Sequence, residues 1–433
     1  MSALRAGAAR ACITPHIGAH ICGYFEDRIA TDIADDLFAK AIVLENGDTS
    51  IAVVVLDLIA ALKHDFDRAK ARASELTGIP QDHIFMSCTH THFGTASVGA
   101  FNTPREEEYM AWAMDRAGDA VKLAQNRLRV AKVGHASGQC PEETHNRRWH
   151  MKDGTVKMNP GFQNPDCVLP AGPTDPEVAL LALLDADDQP IAALTNYSLH
   201  YVGGPFATSI SADYFGAFDR ALQRMAGSEF VAIMMNGCCG DINNCDFTRP
   251  APAYPHPFTQ VERVANVVAS RAYGGWQQIR EYAPEAALGA ASQAVTFRRR
   301  VSTPEELAAA HATSAAHADR NDPVGMYARE VLAVAEEPVE HETTITSLRV
   351  GDVGITGMPG EIFVEIGLAV KEQSPFARTL VGELANDCVG YVPTVKALNQ
   401  GSYETDLARS AKASAETGDS FLEACVATLR ALA

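Results

Sequence analysis

The sequence predicts an α/β fold in which mixed β-sheets are flanked by helices. Short apolar runs typical of strands alternate with helical stretches over most of the 433 residues. Pairs of these runs are separated by short polar turns, which indicates hairpins within a sheet. A chain of this length can bury about three quarters of its unfolded surface. Because no Gly/Ser tract, repeat or charge block divides the chain, we expect one large domain over residues 1–433.

Five apolar runs mark the expected strands of the sheets. Residues 39–44 and 51–56 flank one polar turn, and residues 178–184 and 191–197 flank another, so each pair predicts a hairpin. A further buried strand is expected over residues 83–88.

Two helix starts carry the sequence Thr-Pro-x-Glu, beginning at Thr103 and at Thr303. In this pattern the threonine caps the helix, proline takes the first helical position, and glutamate lies three residues after the cap. We therefore expect a helix after each of them. The Ala-rich, charged region from about 303 to 336 predicts a helical hairpin on the surface.

Composition limits the classes of function. The formal net charge of −18 disfavours binding to nucleic acid or to anionic membranes. No apolar stretch of about 18 residues predicts a membrane-spanning helix, and the amino-terminal residues lack the apolar core of an export signal. Ten cysteines without a tight repeat are typical of reduced thiols. We expect a cytoplasmic protein. The sequence does not determine the oligomeric state, and a homo-oligomer is one option.

His90 and His92 follow directly after the predicted strand over residues 83–88. On extended backbone, residues two apart point the same way, so both rings would face one pocket at the end of the strand. Imidazole is a common zinc ligand, and two neighbouring rings can divide the work between metal binding and proton transfer. The alternative, two histidines that only make surface hydrogen bonds, is equally open from the spacing.

Four other segments carry residues of chemical interest where a strand ends. His200 follows an apolar strand, Glu361 follows a Pro-Gly turn before a helix, and Tyr391 follows a glycine. Taken alone, His200 and Tyr391 are more typical of a structural role, and Glu361 is equally typical of a structural role and of a ligand. The small-residue turn 236–244 indicates either a backbone cradle for an oxyanion or a tight structural turn.

Taken together and in order, these segments resemble the catalytic domain of the neutral/alkaline (non-lysosomal) ceramidase family. The motifs that carry the resemblance are Ala11-Cys12-Ile13-Thr14-Pro15, Cys22-Gly23-Tyr24, Asp36-Leu37-Phe38-Ala39-Lys40-Ala41, Cys88-Thr89-His90-Thr91-His92-Phe93-Gly94, Asn146-Arg147-Arg148, Asn159-Pro160-Gly161, Asn196 to His200, Gly240-Asp241-Ile242-Asn243, Pro359-Gly360-Glu361 and Gly390-Tyr391-Val392. They extend over nearly the whole chain. The resemblance implies mixed β-sheets packed face to face, flanked by helices, in a single large catalytic domain.

The resemblance also implies a set of site residues. One zinc ion per chain would be bound by four residues: His90, His200, Glu361 and Tyr391. A second group would surround the reacting carbonyl: His92, Arg147, Tyr403 and Asn243. Asn243 stands where the family carries a serine, and its position is the clearest departure within these motifs.

The implied function is zinc-dependent hydrolysis of an amide, or a related ester, in a small or amphipathic substrate by metal-activated water. His92 would transfer protons, and Arg147 and Tyr403 would stabilise the oxyanion. Other metal-dependent reactions on the same scaffold, such as lactone or phosphate-ester hydrolysis or an isomerase or lyase reaction, remain alternatives, as does a noncatalytic metal-binding homologue. The ceramidases of this family are exported and carry a carboxy-terminal β-sandwich, whereas this sequence has neither feature, so we expect little activity on long-chain ceramide.

Overall fold

The structure is a computed structural model that describes residues 3–201, 203, 207–254, 256 and 258–433. Its strands, in chain order, are β1 (Arg5–Cys12), β2 (His20–Ile21), β3 (Arg28–Ile29), β4 (Asp32–Ile33), β5 (Phe38–Glu45), β6 (Ser50–Leu56), β7 (Ile84–Cys88), β8 (Arg129–Gln139), β9 (His145–Asn146), β10 (Arg148–Met151), β11 (Val156–Met158), β12 (Cys167–Pro170), β13 (Glu177–Asp185), β14 (Pro190–Tyr197), β15 (Ser209–Ile210), β16 (Val231–Asn236), β17 (Ile242–Asn243), β18 (Leu288–Arg298), β19 (Glu340–Val350), β20 (Val353–Gly357), β21 (Glu361–Ile362), β22 (Arg378–Gly382) and β23 (Tyr391–Val392). Its α-helices are α1 (Lys63–Thr77), α2 (Glu107–Asn126), α3 (Asp213–Ala226), α4 (Phe258–Trp276), α5 (Pro304–Ala316), α6 (Pro323–Glu336), α7 (Val364–Gln373), α8 (Val395–Gln400) and α9 (Thr417–Arg430).

Eight strands form the larger sheet, in the order β16-β14-β13-β8-β1-β5-β6-β7. The pairs β5–β6 and β13–β14 are antiparallel hairpins, as the sequence predicts. The pairs β6–β7 and β14–β16 at the two edges are parallel, and each pair is connected through a helix, α1 or α3. The sheet is therefore mixed, which confirms the predicted fold class.

A smaller sheet, in the order β18-β19-β20-β22, packs against one face of the larger sheet. One buried apolar cluster contains Val53 and Leu181 of the larger sheet together with Leu348 and Ile355 of the smaller one. The sheets thus share a core between their faces, as expected for sheets packed face to face.

Helices cover the opposite face of the larger sheet. Along β6, Ala52, Val54 and Leu56 pack in the core beneath α1 and α2, whereas Val53 and Val55 face the smaller sheet. Because successive side chains of a strand point to opposite faces, a strand buried on both faces needs apolar residues at every position. This explains the continuous apolar runs of the sequence. No helix within the described residues is long and apolar enough to cross a membrane.

The two predicted helix starts have different outcomes. Thr303 caps α5, because its side chain accepts a hydrogen bond from the Glu306 backbone N–H in a capping box. A long helix also follows Thr103, as expected, but the predicted cap is wrong: α2 begins at Glu107, after the capping residue Glu106. The Thr103 backbone N–H instead closes a turn onto the Ala100 carbonyl, which holds this segment outside the helix. The surface helical hairpin is confirmed as α5 and α6.

Candidate active site

The site forms where connections that follow β7, β16 and β22 meet. The Asn236 side chain, at the end of β16, donates to the Thr89 carbonyl at 3.2 Å. The Glu383 backbone N–H, just after β22, donates to the Asn236 carbonyl at 3.1 Å. These bonds join the two edges of the larger sheet to the smaller sheet. They bring segments far apart in sequence to one place.

His90 and His92 meet in this region, although not for the reason that the sequence suggests. The strand ends at Cys88, and His90 adopts the left-handed conformation with φ 75°, which is uncommon for a residue other than glycine. The extended-backbone expectation is therefore wrong. The two Nε2 atoms nevertheless lie 3.2 Å apart. The rings face one point because the turn, not the pleat of a strand, directs them there.

Carbonyl groups fix the orientation of both rings. Nδ1 of His90 lies 2.8 Å from the Ile59 carbonyl, and Nδ1 of His92 lies 2.8 Å from the Gly23 carbonyl. A carbonyl only accepts, so each Nδ1 carries a proton and each Nε2 faces the other ring. A Cβ on Gly23 would lie 2.9 Å from the His92 ring, and Gly23 has φ +106°. Glycine is needed at this close approach.

His200 completes a group of three buried histidines. It follows β14, and its Nε2 lies 3.0 Å from Nε2 of His92. One nitrogen from each of His90, His92 and His200 lies within 4.8 Å of the others. Among the described residues, this is the group of three or more potential ligand side chains arranged closely enough to hold a metal ion.

Glu361 supplies an oxygen to the same place. Its Oε2 lies 3.3 Å from Nε2 of His90 and 3.8 Å from Nδ1 of His200. This oxygen is buried and makes no hydrogen bond to any described residue. Buried carboxylate oxygens are normally satisfied, so an unsatisfied one that lies close to two imidazole nitrogens is suited to binding a cation. Glu361 and Tyr391 lie side by side, because they pair in the parallel bridge of β21 with β23.

Arg147 lies against the histidine group, on the side of Tyr391. Its Nη1 is 3.2 Å from Nδ1 of His200, and its guanidinium carbon is 5.4 Å from the centre of the Tyr391 ring. Its Nε donates to Glu404 at 2.8 Å and its Nη2 to the Gly240 carbonyl at 2.7 Å. The adjacent Arg148 points elsewhere, toward the Gly401 carbonyl. Of the two neighbouring arginines, Arg147 is the one placed at the site.

Tyr403 and Asn243 are the other two residues expected around the reacting carbonyl. The Tyr403 ring is 5.7 Å from the Tyr391 ring, centre to centre, so Tyr403 lies against Tyr391. Asn243 is buried in β17, and its amide is already engaged. Its Nδ2 donates to Asn159 at 2.7 Å, and its Oδ1 accepts from the Cys245 backbone N–H at 2.9 Å. Within the part of the chain that the structure describes, the second N–H of the Asn243 amide makes no hydrogen bond.

The electrostatics of the site favour neutral imidazoles at two of the three positions. Burial, with the charge of neighbouring His90, holds the pKa of His92 well below its ordinary value. Burial and then Arg147 do the same to the pKa of His200. Burial also lowers the pKa of His90, but the Glu361 carboxylate outweighs it, so the His90 pKa lies above its ordinary value. Neutral rings are the forms that bind metal ions.

Two buried glutamates of the site, Glu404 and Glu383, were not predicted from the sequence. Glu404 bridges Arg147 and Arg148, with 2.8 Å bonds from Nε of the first and Nη1 of the second. Glu383 accepts from the Cys239 and Ile362 backbone N–H groups at 3.0 Å. The one signal in the sequence is the adjacency of Arg147 and Arg148, because two neighbouring buried arginines require a buried counter-charge such as that of Glu404.

The small-residue turn 236–244 is a structural turn. The Cys239 backbone N–H is bound by Glu383, the Gly240 N–H by the Ile362 carbonyl, and the Ile242 N–H by the Cys239 carbonyl. These donors are not available to a ligand. Of the two alternatives open from the sequence, the geometry therefore favours the structural one.

Comparison with known proteins identifies the fold. No protein-family model matches the sequence, and no curated protein matches it. A crystal structure of neutral ceramidase from Pseudomonas aeruginosa superposes with a TM-score of 0.76 at 19% identity, over 100% of this chain and 75% of that chain. A ceramidase complexed with C2 gives a TM-score of 0.77 at 19% identity, with the same two coverages. The chain therefore has a neutral ceramidase-like fold, which confirms the resemblance predicted from the motifs.

Proposed function

We propose that the chain is a metal-dependent hydrolase that cleaves an amide bond, or a related ester, in a small or amphipathic substrate. The carrying observation is the buried histidine group, with one nitrogen of each ring within 4.8 Å of the others, beside the unsatisfied oxygen of Glu361. The fold shared with two ceramidase structures supports amide hydrolysis as the chemistry.

The residues present fit a single zinc ion. Four of them, His90, His200, Glu361 and Tyr391, would hold it through two imidazole nitrogens, a carboxylate and a phenol, a donor set of the kind that zinc prefers. When bound, the metal would supply Lewis acidity toward the substrate carbonyl and toward water. His92 belongs to the same group of three histidines, and we assign it the role of proton carrier, not that of metal ligand.

His92 would carry the proton in the reaction. Its low pKa keeps Nε2 unprotonated at neutral pH. In hydrolysis the carbon–nitrogen bond breaks, the oxygen of water joins the acyl carbon, and one proton of that water moves to the leaving nitrogen. Transfer by way of His92 Nε2 balances this change, because the ring takes the proton and then releases it.

Arg147 and Tyr403 would stabilise negative charge on the carbonyl oxygen. Arg147 is buried and permanently charged, and its position is set by Glu404 and the Gly240 carbonyl. Preorganised donors of this kind lower the barrier because they need no reorientation during the reaction. Tyr403 adds a hydroxyl donor from the neighbouring segment.

Metal content tests this proposal. We expect about one zinc per chain by elemental analysis, and a strong loss of both zinc and amidase activity in His90→Ala and His200→Ala. His311→Ala, which removes an exposed histidine of α5, is the matched control. A folded double variant, His90→Ala with His200→Ala, that keeps its full zinc would overturn the assignment.

The main rival is phosphate-ester hydrolysis. That chemistry often uses two metal ions about 4 Å apart. Within the described residues one ligand group of three or more side chains is present, which favours a single metal. Two metals per chain would favour the rival. Bound zinc without turnover of N-acyl compounds, esters or lactones would favour a noncatalytic homologue.

We also propose that the protein works in the cytoplasm. Its ten cysteines are all free in the structure, which supports reduced thiols. Thiol titration of denatured protein without reductant should recover close to ten thiols. Recovery of eight or six would indicate stable disulfides and an oxidising compartment.

A further inference from the structure

Three aromatic side chains from separate segments meet beside Tyr403. They are Phe25, Phe101 and Tyr327, and we refer to them as the aromatic wall. The centre of the Phe25 ring lies 6.0 Å from Tyr403, 4.8 Å from Phe101 and 6.3 Å from Tyr327. Phe101 and Tyr327 are 5.8 Å apart. These are the spacings of edge-to-face aromatic contacts.

The wall keeps an exposed apolar face next to the candidate active site. Phe25 is 40% exposed, although its ring touches that of Tyr403. The preceding residue, Tyr24, is 38% exposed, and its ring lies 6.0 Å from the His92 ring. Two consecutive residues therefore reach the two sides of the site, Tyr24 at the proton carrier and Phe25 at the oxyanion side.

The segment that carries these two rings is held firmly. The Gly23 carbonyl lies 2.8 Å from Nδ1 of His92. Arg28 donates to the carbonyls of Cys22 and His92 at 2.6 and 2.7 Å, and its guanidinium carbon lies 4.3 Å from the centre of the Tyr24 ring. A surface fixed in this way is preorganised for a ligand, so less entropy is lost on binding.

A buried carboxylate fixes the other two rings of the wall. Glu330 of α6 accepts hydrogen bonds from the Phe101 backbone N–H at 2.9 Å and from the Arg409 backbone N–H at 3.0 Å. The Arg409 guanidinium pairs with the same carboxylate. Tyr327 lies three residues before Glu330, on the same face of the helix. The helical hairpin is thereby attached to the site, and Tyr327 is its contribution.

We propose that the aromatic wall binds an aryl group on the acyl side of the substrate. The inference rests on the proposed function, in which Tyr403 contacts the carbonyl oxygen and His92 delivers the proton to the leaving nitrogen. Since the wall borders Tyr403, a group packed on it belongs to the acyl half. The three rings lie within 6.3 Å of one another, a compact surface that matches one ring better than an extended chain.

Binding of hydroxamates to the zinc-loaded protein tests the wall without requiring turnover. Acetohydroxamate, phenylacetohydroxamate and hexanohydroxamate share the metal-binding group and differ in the acyl side, which is methyl, aryl or a linear chain. We expect phenylacetohydroxamate to bind at least about ten-fold more tightly than the other two, as a filled apolar subsite allows. Calorimetry gives the three affinities.

Variants assign that preference to the wall. Phe25→Ala should remove the ten-fold preference and leave the affinity for acetohydroxamate and the zinc content unchanged, and Phe25→Leu should retain part of it. Trp112→Ala, which removes a 43% exposed ring on α2, is the control and should change nothing.

Equal affinities for the three hydroxamates, or equal losses for all three in Phe25→Ala, would overturn the inference and leave the proposed function standing. If no hydroxamate bound better to zinc-loaded than to zinc-free protein, the proposed function itself would fail, and this inference with it.

Discussion

Replacing Glu404 by glutamine tests how the arginine of the site is held. Glu404 is fully buried, and each of its oxygens accepts a 2.8 Å bond, one from Arg147 and one from Arg148. Glu404→Gln keeps the shape and one acceptor oxygen but removes the negative charge. Two buried guanidinium groups then share no counter-charge, and one of them faces an amide N–H in place of an acceptor.

The loss of stability in Glu404→Gln depends on the hydrogen-bond partners that the two arginines keep. Removing one member of a buried ion pair costs about 3–5 kcal/mol. Arg147 keeps the Gly240 carbonyl and Arg148 keeps the Gly401 carbonyl, so we expect the lower end, about 3 kcal/mol of unfolding free energy. Turnover should fall about 10²-fold, because a displaced Arg147 no longer meets the oxyanion, while KM changes less.

Urea unfolding, zinc content and steady-state kinetics measure these effects separately. Asp65→Asn is the matched control, since Asp65 is a buried carboxylate bound to Arg105 at 2.6 Å, away from the histidine group. It should lose stability and keep its kcat. A merely structural Glu404 would behave in the same way as this control. Unchanged kcat in a folded, zinc-loaded Glu404→Gln protein would refute the positioning of Arg147 by Glu404.

Two further predictions concern protonation. His92→Asn should keep its zinc and lose about 10²- to 10⁴-fold in turnover, as expected for a proton carrier; parallel loss of zinc, measured by elemental analysis, would make His92 a ligand instead. Burial lowers the pKa of Lys70 to about 8 from 10.5, so Lys70 destabilises the fold most at pH 7 and progressively less as the pH rises from 8 to 10.5. Lys70→Met should therefore stabilise the protein by about 3 kcal/mol at pH 7 and by much less near pH 10.5, and a urea unfolding series in which the difference from the wild type did not change with pH would contradict this.

The strands of the larger sheet could be predicted because a strand that is buried on both faces appears in the sequence as a continuous apolar run. Along β5 and β6 every position except Lys40, Glu45 and Ser50 is apolar, and the predicted bounds of both strands lie within one residue of the observed ones. The direction of His90 was not predictable in this way. Its left-handed conformation depends on the contacts that hold the turn after Cys88, such as the bond from the His90 backbone N–H to the Leu58 carbonyl.

Long-range charge pairs were the other failure of the sequence. Arg147 and Glu404 are separated by 257 residues, and no local pattern marks either as the partner of the other. Thr103 shows the opposite problem, because it carries a complete capping signature that a competing turn overrides. A local sequence pattern predicts the structure well where no tertiary contact overrides it, and tertiary contacts override such patterns most often at the site.

The hydrogen bonds of Asn243 bear on the choice of substrate. A serine at this position, as the family resemblance implies, would present one small hydroxyl that rotates toward whatever lies beside it. The asparagine present here is fixed from two sides, by Asn159 and by the Cys245 backbone N–H, so its remaining N–H points in one direction set by the protein. A fixed donor selects among substrates by geometry, whereas a rotating one adapts to them. Under the proposed function, Asn243 would therefore narrow the range of substrates that the site accepts.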